Sequence, residues 1–286
     1  MYPIGPSVNL HRGPAVAGST VGGRFEGRPG AAPGRFYAGW MIKADQVLAG
    51  RDAVLRATGH HPYARHALAR GDEQRGWLRD GAVVWLAPPG VWPAAGAVGP
   101  AAPAADLLRD LYAAGDLPAG VRLPLPRAIV DELADRLPLT VLTSWDYLFT
   151  TTPPPHRSGE ERVVRLTGAD HPELAALIEE SFPTSTSRPG DAHIADWYGI
   201  RDGDRLVACG ADRSRGDVGF LAGLTVDRRR RGQGLGAALT VGMARALFAR
   251  YDQVALGAYL DNVGAIRLYR RLGFTGTVEF NSVQLD

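Results

Sequence analysis

The chain has 286 residues, 45% of them hydrophobic and 22% charged, with a formal net charge of +2. This is an ordinary globular balance, which excludes a wholly disordered chain, a collagen and a coiled-coil rod, and so small a charge excess argues against a nucleic-acid binder held by phosphate neutralisation. A single cysteine, Cys209, excludes an intrachain disulfide and a cysteine-based metal cage, so the cytoplasm is the expected compartment.

At roughly 150 residues per domain, two domains are expected. Arginine outnumbers lysine 31 to 1, the lone lysine being Lys43. Residues 1–38 read as a disordered Gly/Pro-rich tail without helical or strand period. The tail is a spacer, or an extension ahead of a start at Met41, and it carries Arg12, Arg24, Arg28 and Arg35 against Glu26. It does not read as a signal peptide, because no basic stretch leads into an apolar core.

Residues 39–152 are expected to form an N-terminal α/β domain. Val47, Leu48, Val54 and Leu55 predict a helix over 44–57. His60, His61 and His66 follow, and read as loop or helix-end histidines, since no acidic or cysteine partner stands at ligand spacing. The 25 residues from Gly81 to Ala105 carry no charge. They also hold Pro88, Pro89, Pro93, Pro100 and Pro103, which a helix crossing a bilayer does not accommodate. The expectation is a strand over 82–87 and then a long loop. Helices over 104–114 and 127–137 and a strand over 139–152 complete this half. Pro153, Pro154 and Pro155 open a linker over 153–160.

Residues 161–286 are expected to form the second domain. A strand over 162–166, a helix over 171–182 and a hairpin with strands over 194–201 and 205–212, turning at Asp202-Gly203-Asp204, come first. A strand over 218–226, a helix over 234–250, a strand over 253–259, a helix over 262–272 and strands to the C-terminus follow. Gly273 stops the last helix.

The chemistry is concentrated where the strand ending at Val226 meets the next helix, through Asp227-Arg-Arg-Arg-Arg231-Gly-Gln-Gly-Leu-Gly236. Gly232, Gly234 and Gly236 leave the backbone open at a helix start, where N–H groups and the helix dipole favour an anion such as a pyrophosphate. A dinucleotide fingerprint requires G-x-G-x-x-G, whereas this spacing is G-x-G-x-G. A P-loop requires Gly-Lys, and the only lysine is at position 43.

These residues resemble the signature of the GNAT superfamily of acyl-CoA-dependent N-acyltransferases, Gln/Arg-x-x-Gly-x-Gly/Ala placed five residues after a strand-end valine. Val226, Arg231, Gly234 and Gly236 match it, while Arg228 stands where the family commonly has proline. A shifted match runs from Arg229 through Gly232 to Gly234. The family's last helix is similar to Asn262, Ala265, Tyr269 and Leu272-Gly273-Phe274. The resemblance covers about 160–286.

The resemblance implies a GNAT-like mixed, splayed sheet flanked by helices, with acetyl-CoA or another acyl-CoA as co-substrate and no metal. It implies that Leu224, Thr225 and Val226 pair with pantetheine and that backbone amides of Arg231, Gly232, Gln233, Gly234, Leu235 and Gly236 hold the pyrophosphate. It further implies that Asn262 touches the pantetheine arm and that Tyr269 binds beside the thioester sulfur and protonates the leaving thiolate. Cys209 reads as a small buried hydrophobe. No general base stands out among Glu179, Glu180, Asp191, His193, Asp196 and Asp217, and the strand from Gly219 to Val226 carries no acid or histidine. Trp197 and Tyr198 either line the acceptor pocket or pack the core.

The expected activity is N-acylation of a small amine or amino-acid-like acceptor, with no membrane partner and no nucleic acid. The alternative is a non-catalytic acyl-CoA-binding regulatory module. The first half is expected to be either a degenerate copy of the same fold or a helical substrate-recognition domain, and the oligomeric state is open between monomer and homodimer.

Overall fold

The computed structural model describes residues 42–70, 73–88, 91 and 93–286, so the tail expected over 1–38 lies outside them. The first half runs β1 (Gln46–Ala49), α1 (Arg51–Ala57), α2 (Pro62–Ala67), β2 (Arg75–Arg79), β3 (Ala82–Leu86), β4 (Ala95–Val98), α3 (Ala101–Ala113), β5 (Arg122–Pro126), α4 (Arg127–Ala134) and β6 (Leu139–Thr150). The second runs β7 (Val164–Leu166), α5 (His171–Ser181), β8 (Asp196–Asp202), β9 (Arg205–Asp212), β10 (Gly219–Val226), α6 (Leu235–Phe248), β11 (Val254–Tyr259), α7 (Val263–Arg271) and β12 (Gly276–Leu285). Apart from the extra helix α2, the two halves have the same order of strands and α-helices. No described helix is long and apolar enough to cross a membrane.

Local structure differs from expectation in three places. The helix expected over 44–57 is a strand and a shorter helix, divided at Gly50, whose φ is 80°. The loop expected after residue 87 contains β4, and α3 starts at Ala101 rather than 104. β4 is Ala-Gly-Ala-Val because Trp85 lies across it: a Cβ on Gly96 would stand 2.2 Å from the Trp85 ring. Two further strands, β2 and β5, escaped sequence reading. β5 carries Pro124 and Pro126, which suit it only because it is a sheet edge.

β1 to β4 form an antiparallel four-stranded sheet in chain order. The larger sheet has eight strands in the order β5-β12-β6-β11-β10-β9-β8-β7. It is mixed, because β10 and β11 are parallel among antiparallel neighbours. The run 153–160 therefore does not separate two sheets. β6, which precedes it, is hydrogen-bonded on one side to β11 and on the other to β12. β12 reaches back to β5 on its far edge. Each half thus lends its last strand to the other, and strands of the two halves alternate over β5-β12-β6-β11.

The two faces of this sheet carry different helices. Leu221, Leu256, Leu148 and Ala258 pack with α6 and with Tyr269 and Leu272 at the end of the second half. On the opposite face, Trp145, Tyr147, Phe280 and Ala255 pack with Val54, Leu55, Tyr63 and Ala64 of α1 and α2. α5 covers the far side of that second face through Leu174, Leu177 and Ile178 against Trp197, Cys209 and Ala211.

Candidate functional site

The opening in the sheet is built by one bulge. β10 pairs with β11 only at Gly219, Phe220 and Leu221, opposite Val254, Ala255 and Leu256. On its other edge, Ala222 faces Ala211 and Thr225 faces Cys209, so Gly223 and Leu224 together oppose Gly210 alone. Two residues against one bend a strand and increase its twist. Gly223 sits at φ 58°, a conformation that favours glycine. A Cβ there would stand 2.9 Å from Ser187 Cβ, so the loop after α5 closes down on the bulge. Beyond Leu221 and Leu256 the strands part, and Leu224, Thr225 and Val226 face the gap opposite the continuation of β11. A parallel pair that separates halfway leaves an unpaired strand edge, which is a slot for an extended amide-bearing chain.

At the end of β10, the buried Asp227 fixes the turn. Its carboxylate accepts from the Arg229 amide at 2.9 Å and pairs with Arg205 at 2.9 Å. The arginine side chains lean away from the turn's backbone: Arg229 pairs with Glu180, Arg230 with Asp202 at 2.5 Å, and Arg231 donates to the Ser181 carbonyl at 3.0 Å. Gly232 and Gly234 both have φ 80°, and a Cβ on either would meet nothing within 4 Å. α6 then starts at Leu235 with Gly234 as its N-cap residue. Among the described residues, none of the backbone N–H groups from Arg231 to Ala237 donates to a backbone acceptor outside α6. Orphan donors at a helix start, with no side chain over them, form an anion cradle.

Asn262 caps α7, its Oδ1 accepting from Ala265 N at 3.2 Å. That bond explains the spacing of Asn262 and Ala265 in the sequence and leaves the exposed side-chain amide free to donate. Tyr269 is buried in the cluster formed with Leu256, Ala258, Leu235 and Leu239, edge-on to Phe274. Burial pushes its phenol up to about 12, so it holds its proton throughout the neutral range. Cys209 is buried in β9 against α5, and burial raises its thiol to about 12, which removes it as a nucleophile. Trp197 and Tyr198 are buried in core clusters.

The acids weighed as bases are engaged elsewhere. Asp191 lies 3.4 Å from Arg213, Glu179 lies 3.8 Å from Arg188, Glu180 and Asp196 are paired with Arg229 and Arg165, and Asp217 is tied to Arg51 at 2.5 Å. His66, read as a loop or helix-end histidine, does stand in the last turn of α2, but its ring is stacked on Phe220 of β10 at 4.4 Å, a contact the sequence did not reveal. No local signal marked it, because 154 residues separate the two partners.

Among the described residues, the first half has no comparable turn. β4 ends at Val98 and α3 begins at Ala101, so two residues connect them, against the eight from Asp227 to Gly234 in the second half. One of the two, Pro100, has no N–H to offer. Gly99 is packed against the chain: a Cβ there would stand 2.6 Å from the Gly81 carbonyl oxygen.

Residues 197–282 match the family described as FR47-like protein. The chain is 32% identical over 184 residues to the mycothiol acetyltransferase of Thermobispora bispora, an alignment covering 58% of this chain and 61% of that protein. The chain therefore spans less than two thirds of that relative. Among solved structures it is similar to a GCN5-related N-acetyltransferase from Kribbella flavida, at 20% identity and a TM-score of 0.47, covering 81% of this chain and 95% of that one. A GCN5-related N-acetyltransferase from Sphaerobacter thermophilus is similar at 16% identity and a TM-score of 0.46, covering 85% and 96%.

Proposed function

We propose that the chain is a GNAT-superfamily, acyl-CoA-dependent N-acyltransferase that uses acetyl-CoA and acts on a primary amine of a small, amino-acid-like acceptor. The single observation that carries this reading is the row of unpartnered N–H groups from Arg231 to Ala237 at the mouth of the β10–β11 gap. The cradle takes the pyrophosphate, and the gap takes the pantetheine against Leu224, Thr225 and Val226. The side-chain amide of Asn262 borders the pantetheine, and the thioester reaches the bulge at Gly223. The choice of acetyl is supported by the name of the Thermobispora relative.

The chemistry requires little of the protein beyond position. The amine attacks the acyl carbon, the C–N bond forms and the C–S bond breaks. An N–H at the bulge stabilises charge on the thioester oxygen, and Tyr269 gives its proton to the departing sulfur. The first half contributes strands to the shared sheet and lacks a cradle of its own, which supports reading it as a degenerate copy of the same fold.

The direct test is binding. Acetyl-CoA at a hundred times its Kd stabilises a protein by about 2.7 kcal/mol, which for a chain of this size raises the melting temperature by roughly 5 °C or more. No shift at millimolar acetyl-CoA would remove the cradle from the site. Binding without release of free thiol across a panel of amines would favour the regulatory module instead.

Tyr269→Phe is expected to keep the fold, since the ring stays in its cluster, and to keep the acetyl-CoA melting shift. Turnover should fall about a hundredfold, the usual scale for losing a positioned acid. The wild-type rate should also show no loss near pH 10, where an unperturbed phenol ionises, because burial raises Tyr269 to about 12. A Tyr269→Phe variant with undiminished turnover, or a wild-type fall centred at pH 10, would take the proton-donor role away from Tyr269.

A further inference from the structure

The shared sheet has a second opening, on the face covered by α1, α2 and α5. Phe220, Ala222 and Gly223 of β10 and Gly257 and Tyr259 of β11 keep partial exposure although they belong to the middle of an eight-stranded sheet. Helices cover this face on both sides of the gap: α2 through the aromatic cluster of Tyr63, Tyr147 and Phe280, and α5 through its contacts with Trp197 and Cys209. The loop that follows α5 presses on Gly223. The uncovered strip leads to the point where β10 and β11 part, from the side opposite Tyr269. An acceptor amine has to approach the acyl carbon from such a side, because the pantetheine fills the gap itself.

His66 stands over this strip. Its ring is stacked on Phe220 at 4.4 Å and 24°, and lies 5.7 Å from the Tyr147 ring. Nδ1 is buried with no hydrogen-bond partner, while the residue as a whole is partly exposed. Nε2 makes no hydrogen bond to a described residue and is not among the buried, unpartnered atoms. A phenyl ring would fill the same space without leaving a buried nitrogen unsatisfied, so packing alone does not account for a histidine here.

We propose that His66, supplied by the first half of the chain, is the catalytic base that accepts the acceptor's proton at the acyl centre of the second half. This rests on the acyltransferase reading above. Phe220 lies three residues before Gly223, a rise of roughly 10 Å along a strand, a span bridged by bound water between Nε2 and the attacking nitrogen. The acceptor enters as the neutral amine. As the N–C bond forms, the nitrogen becomes cationic and strongly acidic, and its proton passes through the water to Nε2. The C–S bond then breaks, the sulfur takes the Tyr269 proton, and solvent resets both side chains. The sum is amine plus thioester giving amide plus thiol.

The surroundings keep His66 ready to accept. Burial first, then Arg215 and Arg213, lower its pKa to about 3. The imidazole is therefore neutral across the physiological range, with its lone pair available to a proton. Burial and the aromatic wall disfavour an ammonium, so the acceptor sheds its extra proton to solvent before it binds productively.

The test uses the full chain, acetyl-CoA and a pooled set of amino acids, polyamines and amino sugars, with thiol release as readout. His66→Phe, which keeps the stacking on Phe220, is expected to lose about a hundredfold in turnover while its acetyl-CoA melting shift is unchanged. In His66→Ala, added imidazole should restore turnover, and a series of methylimidazoles should do so in proportion to basicity, which a merely space-filling role would not produce. Undiminished turnover in His66→Phe, or a folded His66→Ala that azoles do not rescue, overturns the role of His66 and leaves the acyltransferase reading standing. No turnover by the wild-type chain overturns both.

Discussion

A fragment beginning at Pro153 is expected to remain unfolded when produced alone, although it contains every residue of the cradle. Both strand partners of β12 lie before that point. β12 pairs with β6 from Gly276 to Leu285 and with β5 from Phe280 to Gln284. β11 also loses one edge, six paired positions from Val254 to Tyr259. Phe280, Val283 and Leu285 are buried in the whole chain and would be stripped of their cover. At about 1.5–3 kcal/mol for each such side chain, that loss is on the scale of the ~5–15 kcal/mol net stability of a domain. The exposed apolar edges should also drive aggregation. Circular dichroism and gel filtration of residues 153–286 check this. Co-production with residues 42–152 should restore a single soluble complex with a cooperative melt. A cooperative melt of the fragment by itself would show that the alternation of strands from the two halves is dispensable.

The second large effect is expected at the cradle. Gly234→Val should abolish the acetyl-CoA melting shift while the protein still folds. Gly234 has φ 80°, and an added Cβ meets nothing within 4 Å. The folded state therefore bears only the backbone cost of a left-handed conformation, about 1–2 kcal/mol. The branched side chain, however, projects over the N–H groups that face the pyrophosphate, and affinity should fall at least tenfold, about 1.4 kcal/mol. Gly115→Val is the matched control. It has the same φ of 80° and equally open surroundings, in the turn after α3 far from the site. It should show a similar loss of stability with an undiminished acetyl-CoA shift. Equal shifts in both variants would move the anion away from Gly234.

The readability of this chain follows from the range of its determinants. The strand ending at Val226, the glycine turn and α6 lie within one continuous stretch, and each is set by neighbours a few residues away. The pattern from Asn262 to Phe274 is as local: Asn262 caps α7, and Gly273, at φ 99°, ends it. The splay was expected from the resemblance, but the bulge that produces it involves the loop after α5, since the approach of Ser187 joins the positive φ in excluding a side chain at position 223.

The errors were non-local in the same sense. β4 looks like loop because Ala, Gly and Pro dominate it, and it is a strand because Trp85 requires small residues beneath its ring. β5 looks unfit for a sheet because of Pro124 and Pro126, and it is a strand because β12 offers it an edge. The Pro-rich run at 153–155 looks like a domain boundary, yet the chain on either side of it builds one sheet.

By itself the sequence determined the glycine turn at the start of α6, the two helices that flank the gap and the absence of an acid or histidine on β10, because hydrogen bonds and apolar periodicity within short segments specify these. Only the tertiary structure decided that the two halves exchange their last strands, and that His66 stands on Phe220 across 154 residues of chain. Strand exchange and side-chain stacking depend on which surfaces meet after the elements have formed, and nothing in a local window encodes that meeting.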